Sequence, residues 1–124
     1  MMNKFLSLVV LVGYFVCSMA VSAPAQETPD TLKEKALEKI DLAKEFSERA
    51  KKVLGSPTKD NIKIARYLFM EAGNLYEQAR AAFEVLAKNY YIGRDYVDGA
   101  QSAVNGCVDA VNQCTKRLNE MENR

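Results

Sequence analysis

Apolar residues recur every three or four positions through most of this chain, and this spacing constrains the fold more than any other feature. In the last third of the sequence the steps alternate between three and four without a break, through Val97, Ala100, Val104, Cys107, Val111, Cys114, Leu118 and Met121. Residues with this spacing lie on one face of an α-helix and form the seam along which it packs against a neighbour. The pattern predicts a helix over about residues 95–122, with Asp95 as its N-terminal cap.

Two further helices are predicted upstream. The first covers about residues 29–54, because Thr28 and Pro29 suit a capping position and the first helical position, and Gly55 suits a left-handed end. The second covers about residues 57–91 and begins at Ser56-Pro57. Short connections place consecutive helices antiparallel. The predicted fold is therefore all-α, an up-down-up three-helix antiparallel bundle that forms a single domain over residues 26–124.

Residues 1–25 have the features of a secretory signal peptide. Lys4 supplies a positive charge, an apolar run covers residues 5–16, and small residues precede Ala20 and Ala25, the two favoured cleavage positions. The run is about a dozen residues long, whereas a transmembrane helix needs roughly 20. We therefore expect a secreted, extracellular protein with no membrane span.

Composition argues against several classes of function. The chain has 17 Lys and Arg against 16 Asp and Glu, and Lys4 leaves with the signal peptide, so a nucleic-acid partner is not expected. The sequence contains no histidine, and carboxylates such as Glu45 and Glu48 lie on a helix face that is predicted to be solvated. Since neither a nucleophile with its base nor a metal site is evident, we expect no catalytic residues, no metal and no cofactor.

The two cysteines of the exported chain, Cys107 and Cys114, are seven residues apart on the predicted third helix. That spacing corresponds to about 10.5 Å along the helix axis, beyond the roughly 7 Å that a disulfide tolerates between Cα atoms. Three alternatives follow. Both thiols are reduced and buried, or one or both link two copies of the chain, or one pairs with a different protein or through a local break in the helix.

Three tyrosines lie near the predicted junction of the second and third helices: Tyr90, Tyr91 and Tyr96. Tyrosine combines a large apolar ring with a polar hydroxyl, which suits a contact surface. The same residues could instead fill the corner between the two helices. The sequence leaves both interpretations open, and the three residues are our candidate interface.

Two segments of the chain match a known pattern. One runs from Ala72 to Ala79 and contains Tyr76; the other runs from Asp95 to Cys114. In these segments the chain resembles the plant invertase and pectin methylesterase inhibitor family, whose members are secreted four-helix bundles. The matching positions are Tyr76, Ala79, Tyr96, Ala100, Val104, Asp109, Ala110 and Cys114. Ala72 stands where the family has a cysteine, and the family's N-terminal hairpin and fourth helix have no counterpart. The resemblance implies a shortened, diverged member.

The expected function is therefore that of a secreted, non-enzymatic binding protein, and the resemblance implies an inhibitor of a carbohydrate-active enzyme. Two alternatives remain. One is a self-associating structural bundle, a homodimer that is disulfide-linked through Cys107 or Cys114. The other is a carrier of a small apolar ligand between helices, with Phe69, Met70 and Phe83 near the pocket.

Overall fold

Three α-helices make up the part of the chain that the structure describes. The computed structural model describes residues 28–123, in which α1 spans Pro29–Val53, α2 spans Lys59–Tyr90 and α3 spans Arg94–Glu122. No strand occurs within this range. The predicted all-α three-helix bundle is confirmed. The predicted signal peptide, residues 1–25, lies outside the described residues.

Helix α2 is the central helix and runs antiparallel to both neighbours. The hydrophobic core clusters place residues of α1 and α2 together in opposite order: Ala36 with Ala79, Ala43 with Ala72, and Ala50 with Ala65. Between α2 and α3, Phe83 stacks on Tyr96 and Arg66 reaches Thr115. Helix α2 packs closely along both neighbours, whereas the backbones of α1 and α3 approach each other much less.

Small side chains occupy the most buried positions at intervals of seven residues. In α1 and α2 these are alanines, and in α3 the same interval is occupied by one alanine and both cysteines: Ala36, Ala43 and Ala50; Ala65, Ala72 and Ala79; Ala100, Cys107 and Cys114. Interaxial distance depends on the side chains at the contact, so small residues at each heptad bring the helices close together. The larger side chains that are fully buried are Phe83, Ile62 and Leu86, all on α2.

The helix starts differ from the sequence prediction at two of three places. Thr28 caps α1 as predicted, and its hydroxyl accepts from the Thr31 N–H at 3.2 Å. The second helix begins two residues later than predicted, because the Thr58 hydroxyl caps it by accepting from the Asn61 N–H at 3.1 Å. Asp95 does not cap α3. The cap residue is Gly93, and Asp95 lies in the first turn, where its charge complements the helix dipole.

The left-handed backbone conformation predicted at Gly55 occurs elsewhere. Within residues 28–123, positive φ values are found only at Tyr91 (58°) and Gly93 (81°), in the corner between α2 and α3. The Leu86 carbonyl accepts hydrogen bonds from the Tyr91 and Ile92 N–H groups and so ends α2. Helix α1 instead ends in a tight turn, in which the Gly55 N–H donates to the Lys52 carbonyl at 3.0 Å.

Candidate functional site

The three candidate interface tyrosines have different environments in the corner between α2 and α3. The Tyr96 ring stacks on Phe83 with a centroid distance of 4.7 Å and an interplanar angle of 14°. The Lys33 ammonium of α1 lies 5.9 Å from the centroid of the same ring, within reach of a cation–π interaction. Phe83 is fully buried. The Tyr96 ring thus covers Phe83 in the corner, while 42% of the residue remains exposed.

Tyr90 and Tyr91 are both more exposed than Tyr96. Tyr91 is 92% exposed and Tyr90 is 48% exposed. Tyr91 also adopts the left-handed conformation (φ 58°, ψ 30°) at the C-terminal end of α2. That conformation brings Cβ close to the following carbonyl and costs an L-residue about 1–2 kcal/mol, which glycine avoids. We call Tyr90 and Tyr91 the tyrosine tip. It combines backbone strain with an unburied aromatic ring.

Cys107 and Cys114 are free thiols inside the bundle. Cys107 is 6% exposed and Cys114 is 3% exposed. Burial raises the pKa of both thiols; for Cys107 a hydrogen bond with Ser47 works in the opposite direction. A disulfide between two copies would require either sulfur to leave the core. The arrangement is that of small core side chains with low thiolate content.

An open apolar groove runs between α2 and α3. It has a volume of about 300 Å³, and we call it the α2/α3 groove. Its apolar walls come from Phe69 and Met70 of α2 and from Val104, Val108 and Val111 of α3. The polar residues Asn74, Glu77 and Asn112 also line it. Two of the three residues predicted near an apolar pocket, Phe69 and Met70, are thus found in its lining. The third, Phe83, lies in the core beneath Tyr96 instead.

The floor of the groove depends on a glycine that the pattern of apolar residues does not indicate. Gly73 faces Cys107, and a Cβ atom added to Gly73 would lie only 3.3 Å from the Cys107 Cβ. Both residues line the groove. The missing side chain lets α3 approach α2 here and leaves space above the contact. No local signal in the sequence indicates this, because it depends on which residue of α3 faces Gly73.

Charged residues lie near the two ends of the α2/α3 groove. One turn beyond the lining residues Met70 and Val111, the Arg66 guanidinium donates to the Thr115 hydroxyl at 3.4 Å, so this side chain extends from α2 to α3. At the other end Glu77 pairs with Arg80, which also contacts Glu84 at 2.8 Å. The hydrogen bond from Arg80 lowers the pKa of Glu77, so this carboxylate stays ionised.

Residues 28–123 meet the requirements of neither a metal site nor a membrane-spanning helix. No group of three or more Cys, Asp or Glu residues in this range is arranged to hold a metal ion. No helix there has the length and apolar character required to cross a bilayer. In the same range every buried side-chain nitrogen or oxygen has a hydrogen-bond partner.

No family model, no curated protein and no solved structure matches this chain. Four of the eight residues that carry the resemblance to the inhibitor family are buried: Tyr76, Ala79, Ala100 and Cys114. Ala72, which stands at the family's cysteine position, packs in the core cluster of Cys107, whereas Cys114 belongs to the neighbouring cluster.

Proposed function

We propose that this chain is a secreted, non-enzymatic binding protein that contacts a protein partner through the tyrosine tip. The observation that supports this proposal is Tyr91, which is 92% exposed in a left-handed conformation. Stability alone favours glycine or asparagine at such a position. A strained, unburied aromatic residue is better explained by a contact that it makes outside the bundle.

The size and chemistry of the tyrosine side chain suit Tyr91 to anchor a protein partner. A tyrosine ring buries about 150–250 Å² when it enters a pocket, and tyrosine is enriched among the residues that dominate interface energetics. Tyr90, 48% exposed, adds a second ring beside Tyr91. Tyr96 in the same corner is 42% exposed and stacks on Phe83. The corner thus presents three partly exposed tyrosine rings.

The partner that we propose is a carbohydrate-active enzyme. Support comes from the resemblance of residues 72–79 and 95–114 to invertase and pectin methylesterase inhibitors. The test measures binding and residual activity of pectin methylesterase and acid invertase with the purified protein at micromolar concentration. Inhibition of either enzyme supports the proposal, and absence of binding to both removes this class of partner.

A substitution at Tyr91 separates binding from folding. We expect Tyr91→Gly to raise the free energy of unfolding by about 1 kcal/mol, because glycine adopts the left-handed conformation without strain. The same substitution should weaken partner binding at least about tenfold. Tyr67→Ala is the matched control, since Tyr67 is 59% exposed but lies in the first third of α2, far from the tyrosine tip. Unchanged binding by Tyr91→Gly would show that the tip is not the interface.

The alternative of a homodimer is tested with the same preparations. Sedimentation of the wild-type protein and of Tyr91→Gly, with and without reductant, gives the mass of each species. A monomer under all conditions excludes self-association. A dimer that dissociates in Tyr91→Gly makes a second copy of the chain the partner of the tyrosine tip. A dimer that dissociates only with reductant would contradict the burial of Cys107 and Cys114.

A further inference from the structure

We propose that the α2/α3 groove binds a single-chain anionic amphiphile, a medium-chain fatty acid, with its acyl chain in the groove and its carboxylate on Arg66. This site is separate from the tyrosine tip, because Gly73 at its floor and Tyr90 are about 25 Å apart along α2. The proposal is therefore independent of the protein partner and can fail or succeed without it.

The size and lining of the groove suit a small apolar group. A volume of about 300 Å³ lies at the lower end of the roughly 300–1,000 Å³ that small-molecule pockets occupy. Met70 on one wall is 43% exposed and Val108 on the other is 50% exposed. These side chains face water until a ligand covers them. Gly73 and Cys107 face each other at the floor of the groove, and its polar lining is limited to Asn74, Glu77 and Asn112.

Arg66 supplies the charge that selects an anion. It lies one helical turn before Met70 on the same edge of α2, and one of its guanidinium nitrogens donates to Thr115. Within residues 28–123, no carboxylate lies within ion-pair distance of Arg66. Arginine carries five N–H donors in a planar fork that matches a carboxylate. Several of these donors therefore remain for a ligand.

The opposite end of the groove fixes the direction of the ligand. Glu77 lines that end and is held ionised by Arg80. Glu77 and Glu84 outnumber the one positive charge of Arg80. A second carboxylate placed there would therefore be repelled, whereas one beside Arg66 is attracted. The distance from Arg66 to Glu77 along α2 is about 16 Å. A ligand with its carboxylate at Arg66 and its chain directed towards Gly73 places the negative charge beside the arginine and away from Glu77.

The same boundaries argue against a helix as the occupant. A helix from a second copy that lay along the groove would have to cross the Arg66–Thr115 contact, which spans from α2 to α3. At the other end it would meet the Glu77–Arg80 pair. A groove that is bounded by side chains at both ends suits a short flexible chain better.

The test is an NMR titration of the full exported chain with hexanoate, octanoate and decanoate. We expect amide shifts to concentrate in residues 69–77 and 104–112. Each added methylene should tighten binding about fourfold while the groove fills. Shifts concentrated elsewhere, or affinity that does not depend on chain length, would overturn the proposal.

A second set of titrations tests the head group. Decanol carries a chain of the same length without the charge, and we expect it to bind about tenfold more weakly than decanoate. Arg66→Gln should remove this difference by weakening decanoate about tenfold and leaving decanol unchanged. Arg49→Gln, on the exposed surface of α1, is the matched control and should change neither. Equal affinity of the wild-type protein for both ligands would overturn the role of Arg66.

Val108→Asp tests the groove itself. Val108 is half-exposed, so the substitution should leave the fold intact, which far-UV circular dichroism verifies. The new carboxylate lies in the groove wall and should abolish decanoate binding by repulsion and loss of apolar contact. Unchanged binding by a folded Val108→Asp variant would place the ligand elsewhere.

Discussion

Two glycines inside α3 give the sharpest test of the helix geometry. No atom lies within 4 Å of a Cβ placed on Gly99 or Gly106, and neither has a positive φ. Alanine therefore fits at both positions without displacing a neighbour. Glycine in a helix interior is about 0.8–1.0 kcal/mol less favourable than alanine. We expect Gly99→Ala and Gly106→Ala each to raise the free energy of unfolding by about that amount.

The two effects should add. The positions are about 10.5 Å apart along the axis and share no contact, so the double variant should gain about 2 kcal/mol. For a domain of this size, 1 kcal/mol corresponds to a rise in Tm of about 4–8 °C. Thermal and urea unfolding followed by far-UV circular dichroism measure both quantities. An unchanged m-value would show that the gain comes from the folded helix rather than from altered compactness.

Gly73→Ala is the matched control for this prediction. It offers the same gain in helix propensity, but its new Cβ would lie 3.3 Å from the Cys107 Cβ. Because α2 and α3 must then separate slightly, we expect a smaller gain than at the other two glycines, or a loss. If Gly73→Ala stabilised the protein more than Gly99→Ala and Gly106→Ala, the proposed contact between α2 and α3 would be wrong.

Three further predictions follow from the core. Phe83→Ala should lower the free energy of unfolding by about 3–5 kcal/mol in urea titrations, since Phe83 is fully buried; a loss below about 1 kcal/mol would contradict that burial. Cys107 and Cys114 should react with a thiol reagent only after denaturant is added, and rapid reaction of the native protein would contradict their placement. Burial raises the pKa of both thiols and of the Tyr76 hydroxyl. As pH rises, the unfolded chain therefore releases these protons before the folded protein does. The free energy of unfolding should fall above about pH 8.5, by at most about 1.4 kcal/mol per pH unit and group. A free energy of unfolding that stays constant up to about pH 10 would refute this.

The sequence predicted the helices because their signals are local. Apolar residues three and four apart define each buried face without knowledge of the neighbours, and the bounds of α1 and α3 were predicted to within one residue. The start of α2 was less accurate. Ser56-Pro57 and Thr58 are both plausible starts in sequence, and only the backbone geometry decides that the Thr58 hydroxyl reaches the Asn61 N–H.

The corner between α2 and α3 was harder to predict from the sequence than the helices were. Residue propensity assigns the left-handed conformation to glycine, and Gly93 follows this rule. Tyr91 does not, because the chain must reverse within three residues while the Leu86 carbonyl is satisfied. The sequence could indicate a tyrosine cluster but not the division between Tyr96, which packs in the corner, and Tyr91, which remains in solvent.

The sequence alone determined that residues 28–123 form three amphipathic helices in antiparallel order, since periodicity and short connections require nothing beyond local chemistry and chain length. Only the tertiary structure decided how α2 and α3 align along their length. That register sets Gly73 against Cys107 and Arg66 against Thr115, and the groove exists because of it. Register arises from side chains on two helices that fit together at once, and no single stretch of sequence contains that information.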